Sequence, residues 1–299
     1  MELKVIAYAR NGHTDKFGIP RQSREESPIL TRIVFEPEFN VREALRGIEG
    51  YSHLWLIWGA NLTQPLPPPS PQEREPREGG GLSWSPTVRP PRLGGNKRMG
   101  VFATRSPFRP NPIGLSSVRN LTPTLSKGEG VYIGESGRME LIVSGADVLD
   151  GTPIYDIKPY LSFSDSHPDA RNGFAEDTKD HRLEVDWSAV LKEEDSENQI
   201  ETSETDAEYP PYHPVITPLS PPYHPLWGHM EERTMRAIEY ILSQDPRPGY
   251  QDDPKREYKL EYAGYTVTFV VVAKPDAALS GEGEEQRNQV VVVKNIEKC

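Results

Sequence analysis

The chain has a single cysteine, Cys299, in 299 residues. One thiol excludes a disulfide framework and a thiolate zinc site, and it fits a reducing compartment. No apolar run approaches the roughly 18 residues that a membrane span needs, and Met1 to Arg10 lacks the basic-then-apolar order of a secretory signal. The expectation is a soluble, cytoplasmic protein with no membrane partner. A phosphate-binding P-loop is missing too. "GEGVYIG" (Gly128 to Gly134) matches a dinucleotide loop only superficially, because no strand precedes it and no helix follows. The 7 histidines, at 13, 53, 167, 181, 213, 224 and 229, show no metal-ligand spacing, so no metal is expected. His53, inside the apolar "YSHLW", reads as a satisfied core histidine. No serine sits in a nucleophile elbow, and nothing else supports covalent catalysis.

Charge of one sign is missing locally. The net charge is -11, which excludes a non-specific nucleic-acid glue. Yet from Pro86 to Asn120 there are seven basic residues (Arg89, Arg92, Lys97, Arg98, Arg105, Arg109, Arg119) and no Asp or Glu. From Glu193 to Glu208 the imbalance reverses, with eight acids and no base. One face can therefore attract phosphate although the total is negative.

The chain is long enough for two domains, and proline is plentiful, with 30 residues. "ELKVIAYAR", "YSHLWLIWGA", "VYIG", "MELIVSGADVL" and "TPIYDIKPYL" read as strands bounded by Gly, Pro and Asp turns, with a short helix around Val41 to Leu45. Many short strands with almost no helix between them argue for a small barrel or sandwich rather than a doubly wound fold. A Pro- and charge-rich insertion at about 64–82 cannot pack, and an acidic, Pro-rich linker runs over about 193–229 with "PPYHP" repeated. After the linker, "MEERTMRAIEYILSQ" sets Met235, Ile238, Ile241 and Leu242 on one helical face, and "DPRPG" stops the helix. "REYKLEYAGYTVTFVVVA" reads as a hairpin around Ala263-Gly264, and "QVVVVKN" as one more strand. The expected organisation is mainly β: a small N-terminal β-barrel over 1–168, then a smaller α+β domain over 182–299.

Polar residues at strand ends carry the chemistry. "GVFATRSPFRPNPIGLS" opens like a buried strand at Val101, Phe102 and Ala103. It then sets Arg105 and Arg109 four apart among prolines, and rigid backbone presenting guanidinium groups suits recognition of an anion. "IPRQS" places Arg21 and Gln22 after a proline. "DGTPIYDIKPY" offers Asp150, Asp156 and Lys158, with Gly151 and Pro153 indicating a tight turn where backbone can approach a ligand. Any one of these alone is ordinary turn chemistry.

Together, "GIPRQS", "GYSHLWLIWGAN", "VRPPRLGGNKRMGVFATRSPFRPNPIGLSSV" and "DVLDGTPIYDIKPYLSFSDS" resemble, in order, the signature blocks of the TsaA-like (TrmO) family. The resemblance covers about Val5 to Ser166, and "DPRPGY" with its hairpin resembles the family's C-terminal domain. What it implies is an S-adenosylmethionine-dependent methyltransferase built on a non-Rossmann β-barrel. The family works as a homodimer on the tRNA anticodon loop and methylates N6 of N6-threonylcarbamoyladenosine. The family's cofactor contacts fall on Pro20, Arg21 and Gln22, on Asn61 and Leu62, on Arg105 and Leu115, and on Asp150, Gly151, Thr152 and Pro153. Asn61 stands where the family usually has histidine, and asparagine hydrogen-bonds without titrating. Arg109, Arg98 and Lys158 are the expected RNA contacts, and Asp150 and Asp156 the carboxylates available to take the N6 proton. The rival expectations are a non-catalytic RNA- or nucleotide-binding barrel, and an adaptor acting through "PPYHP".

Overall fold

Alternating apolar residues build the first sheet. The computed structural model describes residues 2–60, 86–90, 97–122, 132–133, 137–179, 181–190, 232–247, 253–274 and 289–299. Asn61, Leu62, the insertion at 64–82, the linker at 193–229 and both "PPYHP" copies lie outside them. The protein is mainly β. Its first sheet contains Ala7–Arg10 (β1), Leu30–Phe35 (β2) and His53–Gly59 (β3). Thr87–Val88 (β4) and Met99–Gly100 (β5) form a separate two-stranded ribbon. Ile113–Asn120 (β6), Tyr132–Ile133 (β7), Met139–Ser144 (β8) and Pro153–Pro159 (β9) complete the first sheet, in the order β2-β1-β9-β3-β6-β8-β7. β2 also pairs with β8, from Leu30↔Ser144 to Val34↔Glu140, so six strands form a closed ring of pairings. Ala7, Ala9, Ile33, Leu54, Leu56, Leu141, Val143 and Ile154 are buried together as the core of this sheet.

The apolar run of β3 is a strand with two faces. Leu54 and Leu56 are buried, whereas His53, Trp55 and Ile57 are half-buried on the outer face. His53 is therefore a flank residue: Nδ1 lies 2.9 Å from Ser52 Oγ, and Nε2 lies 3.7 Å from the Glu25 carboxylate. Trp55 donates to Asp165 (2.8 Å) at the end of the one-turn helix Ser162–Asp165 (α1).

The second sheet comprises Glu184–Asp186 (β10), Tyr258–Tyr262 (β11), Tyr265–Ala273 (β12) and Gln289–Lys298 (β13), in the order β10-β13-β12-β11. Glu232–Ser243 (α2) covers it, and Met235, Ile238, Ile241 and Leu242 are all buried as their helical spacing requires. Ala263 and Gly264 have φ of 50° and 80°, the left-handed pair that a tight two-residue hairpin needs. This second core recruits residues from far upstream. Ile29 is fully buried in it, and Phe17 stacks 6.4 Å from Tyr258 and 6.3 Å from Phe269.

Two local readings are corrected. Val41 to Leu45 yields only a four-residue 3-10 turn, Arg42–Leu45, before Gly47 takes φ 89°. Val101–Ala103 is a 3-10 turn rather than a strand, and Phe102 is 71% exposed. Only Val101 has a core to enter, and its carbonyl is taken by Thr104 N (3.1 Å) instead of a neighbouring strand. Among the described residues, no helix is long and apolar enough to cross a membrane.

Candidate functional site

The loop between β5 and β6 is organised around Arg109. Its Nη1 donates to the carbonyls of Thr104 (2.8 Å), Val101 (3.3 Å) and Ser106 (3.4 Å), and its guanidinium lies 5.6 Å from the Phe102 ring centroid. Pro107 accepts from Arg109 N (2.7 Å), and the Thr104 and Ser106 hydroxyls accept from Ser106 N and Phe108 N. Arg109 thus fastens its own loop. Arg109→Ala is expected to destabilise the protein by about 2 kcal/mol, the scale of lost charge-assisted bonds, read as a lower urea midpoint. An unchanged midpoint would show that the loop holds without it.

With the loop fixed, Arg105 stands exposed, and its Nη1 donates to Gln22 Oε1 at 2.8 Å. This contact brings together two segments 83 residues apart in sequence. Pro20 beside it is buried. The Arg21 side chain turns the other way, donating from Nη2 to the Arg247 carbonyl at 2.9 Å in the second unit.

The Arg105 charge also acts on Asp147, the last member of a polar relay. Trp58 Nε1 donates to the buried Ser116 Oγ (2.8 Å), and Ser116 Oγ donates in turn to Asp147. Gly114 makes room for the relay, because a Cβ there would meet the Trp58 ring at 2.2 Å. Burial pushes the Asp147 carboxyl above the usual carboxylate range, against the pull of the Ser116 hydroxyl and the Arg105 charge. Arg105, which has no acid near it in sequence, therefore has one in space.

A second cluster forms at the turn into β9. Gly151 takes φ 76°, and its N–H donates to the Ala9 carbonyl (2.8 Å). Asp150 accepts from Asn11 N (2.9 Å) and from Arg10 Nη1 (3.2 Å), while Thr152 is buried and half-buried Pro153 begins the strand. A third group lies on the outside of the ring. The register places Leu115, Ile57 and Asp156 in one row across β6, β3 and β9, with Leu115 51% exposed. Asp156 pairs there with Lys158 at 2.9 Å. Arg98 donates to Thr87 Oγ1 (2.9 Å) across the β4–β5 ribbon.

The hydrogen bonds and strand register group the expected residues in three sets. Arg105 meets Gln22, the Asp150 turn meets Arg10 and Asn11, and Leu115 aligns with Asp156 on the opposite face from Ser116. Asp147 was missed, although "GADVLDG" shows it three positions before Asp150. Asp245 and Arg247 were not singled out, because "DPRPG" reads as a helix stop and "DPRPGY" as part of the family resemblance, and neither reading reveals their ion pair. No group of three His, Cys, Asp or Glu placed to hold a metal ion exists among the described residues.

Comparison with known proteins meets this geometry. Residues 8–166 match the model of the tRNA-methyltransferase O N-terminal domain, and residues 227–278 match the TrmO C-terminal domain. The tRNA (adenine(37)-N6)-methyltransferase of Escherichia coli K12 is 34% identical over 250 residues, covering 84% of this chain and 83% of that protein. The Pseudomonas aeruginosa PAO1 protein RcsF, provisionally classed as an S-adenosylmethionine-dependent methyltransferase, is 37% identical over 86% of each. A crystal structure of TrmO from Pseudomonas aeruginosa superposes with a TM-score of 0.58 at 25% identity, covering 99% of this chain and 98% of that one. The chain belongs to the tRNA-methyltransferase O family.

Proposed function

We propose that the protein transfers a methyl group from S-adenosylmethionine to N6 of adenine 37 in tRNA, and that the base it accepts is N6-threonylcarbamoyladenosine. The observation that carries this reading is the Arg105–Gln22 contact, where two family signature segments meet around an exposed cation. The residues present fit the cofactor's chemistry. Arg105 offers a guanidinium to a carboxylate, Leu115 offers exposed apolar surface, and the turn at Gly151 brings main chain to the surface. Cofactor contacts are assigned to Pro20, Gln22, Arg105, Leu115 and Asp150 to Pro153, with Arg21 acting through its main chain.

Bound S-adenosylmethionine supplies a methyl already activated on its sulfonium, so the protein needs no covalent intermediate. Its own work is alignment and the removal of one proton from N6. Asp150 and Asp156 each hold a cation, Arg10 and Lys158 respectively, and act as fixed anions. Asp150 and Asp156 are the carboxylates available to receive that proton, directly or through water. Arg98, Arg109 and Lys158 provide positive charge for the anticodon-loop phosphates.

Further readings accompany this one. The six-strand ring, with 1–168, serves as a cofactor-binding β-barrel, and 182–299 as an α+β domain. Exposed Phe102, Ile113 and Leu115 supply the apolar surface for a homodimer. The protein works in the cytoplasm, where tRNA is. Two measurements test the function. In tRNA digested from cells lacking the gene, mass spectrometry is expected to show the methylated threonylcarbamoyl nucleoside replaced by its unmethylated form. Calorimetry is expected to show S-adenosylmethionine binding, and an absence of heat would favour a non-catalytic RNA-binding module.

A further inference from the structure

The segment assigned to the cofactor is not built on the ring alone. Between β1 and β2 the chain leaves the first sheet and inserts into the second core. Gly18, at φ 92°, lies so close to that core that a Cβ would meet Leu260 Cδ1 at 2.3 Å and Ile241 Cγ2 at 3.1 Å. Phe17 on one side and Ile29 on the other are packed into the same core. Pro20, Arg21 and Gln22 sit between these two anchors.

The far side of this contact is equally well built. Arg247, 6% exposed, donates from Nε (2.8 Å) and Nη2 (3.0 Å) to the two oxygens of Asp245, and from Nη2 to Gln289 Oε1 (2.7 Å) at the start of β13. Asp245 takes φ 51°, an uncommon conformation for a non-glycine residue. His181 Nε2 lies 3.5 Å from its carboxylate. Burial works against this carboxylate, but the His181 hydrogen bond and the Arg247 charge outweigh it and hold it well below the usual carboxylate range. The result is a rigid turn that presents the carbonyl of residue 247 to Arg21 Nη2 at 2.9 Å.

We infer that Asp245 and Arg247 are positioning residues for the cofactor: their ion pair shapes the turn on which Arg21 rests, and Arg21 in turn fixes Gln22 against Arg105. This rests on the assignment of S-adenosylmethionine to the Pro20–Gln22 segment. The C-terminal unit then contributes to the cofactor site through the Arg21–Arg247 contact. A ligand that moves the turn and the cofactor must influence each other's affinity by the same factor.

The test uses the full-length protein and calorimetric binding of S-adenosylmethionine to wild type, Asp245→Ala, Asp245→Asn, Arg21→Met and the double variant Asp245→Ala/Arg21→Met. Asp245→Ala and Arg21→Met are each expected to weaken binding about tenfold, the scale of one lost positioning contact. KM for the cofactor should rise to match, with kcat at saturating cofactor within about twofold of wild type. The double variant should bind no more weakly than the weaker single, because both changes break one pathway. Asp245→Asn, which keeps an acceptor for Arg247, should recover much of the loss. A purely structural ion pair would lower the melting temperature and leave the affinity of the folded protein alone. Wild-type affinity in Asp245→Ala, or a double variant whose loss multiplies the two singles, overturns the inference. If Asp245→Ala does not fold, the cycle is run with Arg247→Met, which breaks the same ion pair from its other side, and the same two outcomes decide. Wild-type protein that binds no S-adenosylmethionine removes the function and this inference with it, whereas wild-type binding with an unaffected Asp245→Ala removes only the inference.

Discussion

Arg105→Ala is expected to reduce methyl transfer by about a hundredfold or more while leaving the melting temperature within a degree or two of wild type. The two halves of this expectation come from different features of one side chain. Arg105 is exposed and its hydrogen bond is to the side chain of Gln22, so the fold loses little. The loop that carries it is fastened by Arg109, not by Arg105. For bound cofactor the loss is larger. Removing the cation that faces a desolvated carboxylate costs roughly 2–5 kcal/mol, because the remaining charge is left unpaired. The Arg105 charge is also one of the influences that lower the buried Asp147 carboxyl, so its removal pushes that carboxyl further up. Arg105→Lys keeps the charge but loses the planar fork, and should fall between the two. Single-turnover transfer on tRNA, beside a thermal melt, gives both quantities. A folded Arg105→Ala protein with wild-type activity would falsify the assignment.

Much of this fold was legible because strands announce themselves locally. The run at β3, the turn residues around β9 and the Ala263-Gly264 hairpin follow from period and turn chemistry over a few residues. What escaped depends on distant partners. Val101 to Ala103 has strand composition, yet a 3-10 turn forms because the Arg109 guanidinium collects the loop's carbonyls. The pairing of β2 with β8, which closes the ring, joins residues more than a hundred apart and has no local signature.

The site divides in the same way. Residue types and motif order marked Arg105, Gln22 and the Asp150 turn as functional, and the first two do meet. Spacing could not reveal that Arg21, adjacent to Gln22, points into a different unit. Nor could it show that Leu115 and Ser116, successive residues on β6, serve opposite faces of the sheet, one exposed and one bonded to Asp147. Three short bonded groups in one chain are what a motif list looks like once folded, and the dimer proposed above is one way to bring their faces to a common ligand.

A final expectation concerns acid, and it turns on His13, which lies in none of the family's signature segments. His13 is fully buried between the two units, edge-on to Tyr262 at 5.1 Å, and neither ring nitrogen has a hydrogen-bond partner among the described residues. Its backbone is well used, since its carbonyl accepts from Asp150 N (2.9 Å), and its N–H donates to Asn11 Oδ1 (2.9 Å). Burial lowers the imidazole from its ordinary 6.5 to about 4, and the same burial raises the Tyr262 hydroxyl to about 12. In the unfolded chain His13 takes up a proton as pH falls through 6.5, and in the folded protein it resists until about 4. Between those values the unfolded state binds more protons, so stability present above pH 6.5 is lost progressively on acidification. At about 1.4 kcal/mol for each unit, the full loss is about 3 kcal/mol by pH 4 and below. Urea denaturation at pH 7 and pH 4.5 should show most of this difference in wild type. In His13→Leu the same pair of measurements should differ by about 2–3 kcal/mol less. Equal acid sensitivity in both proteins would mean that other groups, not the orphaned imidazole at the junction, set the acid limit of this fold.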